Sequence, residues 1–99
     1  MPRPQIPSTL TNTQGERLDF TFHSGDPERA EIIVLGHGVT GNKDRPFLVG
    51  MAEGWAEQGL NVIRHSWSGN GDSEGNFADS NISKEASDLD AIVGTLTDA

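Results

Sequence analysis

Two short runs, Ile32-Ile33-Val34-Leu35 and Asn61-Val62-Ile63-Arg64-His65-Ser66, bracket one helix-length of amphipathic sequence, and that order leaves few folds open. Glu31 to Leu35 is apolar without alternation, the pattern of a strand covered on both faces in the interior of a parallel sheet. Between the runs, Pro46 suits the first helical turn, where a missing N–H costs nothing, and Asp44 stands where it can cap that helix. Phe47, Leu48, Met51, Ala52, Trp55 and Ala56 then form one apolar stripe, and Gly59 is placed to end the helix in a left-handed turn. Strand, helix and strand make a βαβ unit, which is right-handed in nearly all sheets.

On the N-terminal side, Leu18, Phe20 and Phe22 alternate with Arg17, Asp19, Thr21 and His23. Period two with aromatics predicts a half-buried strand, one arm of an antiparallel hairpin, which the turn Gly25-Asp26-Pro27 ends. Prolines at 2, 4 and 7 oppose helix and predict an extended arm. The expected division is an arm with the first strand over residues 1–14, then the body of one domain over 15–99. Near the other end Ser83 can cap a last helix, with Glu85, Asp88 and Asp90 early in it, where the helix dipole favours them. Its apolar positions Ala86, Leu89, Ile92, Val93 and Leu96 are expected to face inward. The class is α/β, with helices on both faces of the sheet.

A chain of 99 residues has room for a single modest core. Its formal net charge of -8 would repel a phosphate backbone, so nucleic acid is excluded as a partner. There is no cysteine, hence neither a disulfide framework nor a thiolate metal site, and only scattered histidines and carboxylates remain for a metal. No cofactor and no metal are expected. No apolar run looks like a signal peptide or is long enough to span a bilayer, which makes a cytoplasmic location the expectation.

Chemistry concentrates in two glycine-rich segments. Gly36-His37-Gly38-Val39-Thr40-Gly41 follows a buried strand, at the carboxyl edge of the sheet where open α/β folds bind ligands. Glycines flanking His37 would let the chain turn sharply and leave room for a substrate oxygen. The same residues fit the dinucleotide fingerprint G-x-G-x-x-G, but Asn42-Lys43-Asp44-Arg45-Pro46 delays the helix that must meet a pyrophosphate. The next strand also ends Arg64-His65-Ser66, without the acid that would hold a ribose. Gly71-Asp72-Ser73-Glu74-Gly75 fits G-x-S-x-G, the nucleophile elbow, yet Ser73 is flanked by loop on both sides instead of strand and helix. His23, His37 and His65 all precede Ser73, so it would have no later base. His37 reads as a hydrogen-bonding residue of its turn, His65 as a core residue and His23 as a solvated one.

Taken together, the His-Gly turn, the helix, and Arg64, Gly69, Gly71, Asp72, Ser73, Glu74 and Gly75 resemble the front part of an α/β-hydrolase, nearest the esterase, monoglyceride-lipase and serine-aminopeptidase-like branch. The resemblance runs from about Gly15 to the C-terminus. Ser66 stands where that family commonly has Asp and Trp67 where Phe or Tyr is usual, while Ser68 and Asn70 replace the frequent Arg and His. The resemblance implies an oxyanion turn, His37-Gly38-Val39, with the Val39 N–H as donor, and a nucleophile, acid and catalytic histidine later than these residues. Such donors meet charge that develops only in the transition state and are worth about 3–4 kcal/mol. It implies a serine hydrolase of acyl esters or peptides, present here as an N-terminal fragment that would be inactive alone. The strand at Ile32–Leu35 would then have an open edge, available to a protein partner that completes the sheet. The alternative is a complete small α/β module that binds a partner through that edge and does no chemistry.

Overall fold

The computed structural model describes residues 6–38, 41–79 and 81–97. A short antiparallel pair comes first, β1 (Leu10–Thr11) against β2 (Arg17–Leu18). Its turn is organised by Asn12, whose Oδ1 accepts the N–H groups of Gln14 and Glu16, both at 3.0 Å. After Asp19 the chain continues as β3 (Phe20–His23), antiparallel to β5 (Asn61–His65). On the other side of β5 lies β4 (Ile32–Leu35), parallel to it. The sheet order is therefore β3-β5-β4, with the crossover made by α1 (Pro46–Glu57). One 3₁₀ turn, Phe77–Asp79, precedes α2 (Ile82–Thr97).

Every residue of β5 is buried, whereas every residue of β4 is half-exposed. The uninterrupted apolar run thus lies in an edge strand among the described residues, with only β5 beside it, and not in the sheet's interior. Alternation along β5 divides the two faces. Ile63 joins Leu10, Leu18, Ile92 and Leu96 in the main core, with Ile6, Phe20, Phe22, Ile32 and Val34 packed against it. Val62 and Arg64 face the α1 side, where Leu48 and Ala52 are buried.

Both helix starts differ from their sequence reading. Arg45, not Asp44, is the N-cap residue of α1 and makes no side-chain cap bond, while Pro46 does occupy the first turn. The Asp44 carboxylate is taken instead by Lys43 Nζ at 2.9 Å and Arg64 Nη1 at 3.0 Å. Two nearly buried cations outbid an amide for the same oxygens, and those contacts hold the Asp44 pKa below its ordinary value. Asn81, not Ser83, caps α2, its Oδ1 accepting the Lys84 N–H at 2.8 Å. At the other end of α1, Gly59 has φ +90°. The Leu60 N–H reaches the Trp55 carbonyl and the Gly59 N–H that of Ala56, both at 3.0 Å, a Schellman closure.

The apolar stripes are only partly used. Phe47 is 73% exposed, and of the expected inward face of α2 only Ile92 and Leu96 are buried. Ala86, Leu89 and Val93 lie on an exposed side together with Ile82, because α2 packs toward β1 with Asp88 in its contact face. No helix among the described residues is long and apolar enough to cross a membrane.

Candidate functional site

The carboxyl ends of β4 and β5 bring Gly36-His37-Gly38 against Ser66-Trp67. The Trp67 backbone N–H donates to His37 Nε2 at 3.2 Å, and its indole Nε1–H donates to the His37 carbonyl at 3.0 Å. Since Nε2 accepts, the proton of a neutral ring sits on Nδ1, from which it reaches the Gly38 carbonyl at 2.6 Å. Both ring nitrogens are therefore engaged, and His37 has no lone pair free to act as a base. The Gly38 carbonyl also accepts the Gly41 N–H at 3.1 Å.

The two glycines around His37 do different jobs. A Cβ on Gly36 would lie 2.5 Å from Trp67 Cζ2, so Gly36 is small because the indole fills that space. Gly38 is exposed, and a Cβ there would meet nothing within 4 Å, which leaves its surroundings open to a ligand. Neither glycine has a left-handed φ. Val39, the expected oxyanion donor, lies outside the described residues.

Ser73 is not poised for attack. Its Oγ donates to the Ser66 carbonyl and accepts the Asp19 N–H, each at 2.7 Å, and only 9% of the residue is exposed. The loop around it is clipped to β2: the Glu74 N–H donates to the Arg17 carbonyl and the Arg17 N–H to Glu74 Oε1, both at 2.7 Å. Gly69, Gly71 and Gly75 all have positive φ, which the tight folding of this loop demands. Ser73→Ala removes one buried and one part-buried hydrogen bond and strands the Asp19 N–H. It is expected to cost about 2 kcal/mol in urea unfolding, a structural penalty that a loss below about 0.5 kcal/mol would refute.

Behind the site sit polar groups whose roles the sequence did not announce. Arg64, 6% exposed, donates through Nε to His23 Nε2 at 2.8 Å and through Nη1 to the Lys43 carbonyl at 2.6 Å. His23 is thus an acceptor within the fold and not a solvated residue; burial and then the neighbouring Arg64 charge lower its pKa. Lys43 Nζ reaches Thr21 Oγ1 at 3.0 Å and lies 3.4 Å from Asp19 Oδ2, fixing the stretch before α1 to the sheet. Ser66, at the position commonly Asp in the resembled family, accepts the Lys43 N–H at 2.9 Å through Oγ. Among the described residues, no group of three or more His, Asp or Glu is placed to hold a metal ion.

This arrangement of sheet, crossover helix and His-Gly turn is the α/β-hydrolase fold in its N-terminal portion. The structure is similar to that of Est1E from Butyrivibrio proteoclasticus with ferulic acid bound, with TM-score 0.85 and 23% identity over 94% of this chain and 38% of that one. It is also similar to alpha/beta hydrolase domain-containing protein 10 from mouse, with TM-score 0.72 and 26% identity over 90% of this chain and 34% of that one. The Pyrococcus furiosus esterase Pf2001 matches with TM-score 0.69 and 23% identity, covering 91% of this chain and 35% of the esterase. The chain spans about a third of the length of these structures. No family model and no curated protein matches the sequence.

Proposed function

We propose that this chain is the N-terminal part of a serine hydrolase acting on acyl esters or peptides. It supplies the oxyanion turn His37-Gly38-Val39, while nucleophile, acid and catalytic histidine come from outside residues 1–99. The observation that carries this reading is the placement of His37 and Gly38 at the carboxyl end of β4, whose outer edge is unpaired among the described residues. A parallel strand added there would bring its own carboxyl end beside Gly38. The half-exposed β4 and the exposed Leu89 and Val93 mark apolar surface that such an addition would cover.

The purified 99-residue chain is expected neither to turn over p-nitrophenyl acetate nor to be labelled by a fluorophosphonate, because oxyanion donors without a nucleophile have no intermediate to stabilise. Appending the segment encoded downstream of the Ala99 codon should confer both properties. Stoichiometric labelling at Ser73 that disappears in Ser73→Ala would overturn the reading. The open edge of β4 also favours a second one, a small binding module without chemistry. An extended chain that still lacks both properties supports the module, whereas their appearance on extension supports the hydrolase.

A further inference from the structure

The His-Gly turn is held less by its own sequence than by one residue from the neighbouring strand end. Trp67 makes three separate contacts with it: a backbone donor to His37 Nε2, an indole donor to the His37 carbonyl, and packing of the ring into the space that Gly36 leaves. On its other side the indole meets the buried His65 ring edge-on, with centroids 4.4 Å apart and planes at 84°. The indole is thus fixed by β5 and fixes the end of β4 in turn. Phe in this place would keep the packing and lose the donor; Tyr would carry its donor at the far end of the ring.

We propose that Trp67 is the positioning residue of the oxyanion turn, its indole N–H setting the orientation of the peptide that joins His37 to Gly38. This rests on the hydrolase reading of the turn for its functional meaning. The donor restrains a carbonyl on a segment whose next residue, Gly38, is exposed and has no side chain to anchor it. The Trp67 backbone N–H, donating to Nε2, keeps the neutral His37 imidazole in the Nδ1–H form, which closes onto the Gly38 carbonyl. Removing the indole N–H frees the turn without touching the βαβ scaffold, so the loss is local.

The test uses the 99-residue chain in three forms: unaltered, Trp67→Phe, and with β-(3-benzothienyl)alanine at 67, which keeps the shape of the indole and replaces only its N–H by sulfur. Amide exchange is followed at Gly41, whose N–H bonds to Gly38, and at Ile63 in the buried strand, and the His37 tautomer is read from imidazole ¹⁵N shifts. In the unaltered chain the neutral ring should be the Nδ1–H tautomer. Both substitutions should speed Gly41 exchange about tenfold, the equivalent of one hydrogen bond of roughly 1.4 kcal/mol, with the benzothienyl form leaving Ile63 unchanged. Unchanged Gly41 exchange in the benzothienyl form, or parallel acceleration at Gly41 and Ile63, overturns the proposal. No turnover enters these readouts, so their failure leaves the hydrolase reading standing, and the failure of that reading leaves the clamp.

Discussion

Asp88→Ala is expected to destabilise the chain by about 2–6 kcal/mol, about 1–3 for each of two buried donors left unpaired, a large share of the roughly 5–15 kcal/mol that holds a domain folded. Asp88 is 0% exposed on the contact face of α2. Its Oδ1 accepts the Asn12 side-chain N–H at 2.9 Å and its Oδ2 the Ser68 backbone N–H at 2.8 Å. One carboxylate therefore ties the β1–β2 turn and the loop after β5 to the last helix. Truncation would leave both donors buried without an acceptor, which costs more than the bonds themselves contribute. Asp88→Asn should be nearly as damaging, since its amide group must face one of the two donors. Urea unfolding measures both variants, and a loss below about 1 kcal/mol in Asp88→Ala would show that the carboxylate is not what joins these elements.

Acidification is expected to remove about 3 kcal/mol of stability between pH 6.5 and 4, through His65 alone. That residue is 0% exposed, and neither ring nitrogen has a hydrogen-bond partner among the described residues. Burial, reinforced by the nearby His37, lowers its pKa from 6.5 to about 4, against weaker opposing pulls from Asp88 and the Ser66 backbone. The sign follows from proton uptake. Below pH 6.5 the unfolded chain binds a proton at His65 that the native state refuses until about pH 4, so falling pH favours unfolding throughout that window. His65→Leu, apolar and of similar size, should remove most of this slope, leaving the part of the same sign that His23 contributes, and cost little at neutral pH. Stability curves at pH 7, 5.5 and 4.5 decide it; a slope undiminished in His65→Leu would place the acid sensitivity elsewhere.

The two predictions concern polar residues whose importance the sequence did not display. Periodicity was enough to turn Leu18, Phe20 and Phe22 toward one core, although Leu18 ends β2 and the two phenylalanines belong to β3, and to place Leu48 and Ala52 on the buried side of α1 and Ile92 and Leu96 on that of α2. It failed for Phe47, Leu89 and Val93, because an apolar stripe states which residues share a face and not how much of that face a neighbour covers. The helix caps failed for another reason. Asp44 had the right chemistry for its position, but Lys43 and Arg64 offered its carboxylate stronger donors than an amide. For Trp67 a signal did exist, a bulky indole in a place usually occupied by Phe or Tyr, though what it bonds to could not be read from it.

By itself the sequence determined the order of strands and helices, the βαβ unit and the glycine-rich segments at its carboxyl edge, because alternation, helical spacing and turn residues are properties of neighbouring positions. Only the tertiary structure decided that Ser73 is a buried strut, that Gly36 is small for the sake of Trp67, and that Asp88 serves the β1–β2 turn instead of its own helix end. Those roles join residues far apart in the chain, 76 positions for Asn12 and Asp88 and 30 for His37 and Trp67. A directional bond of about 3 Å exists only once the packed elements have fixed both partners in place.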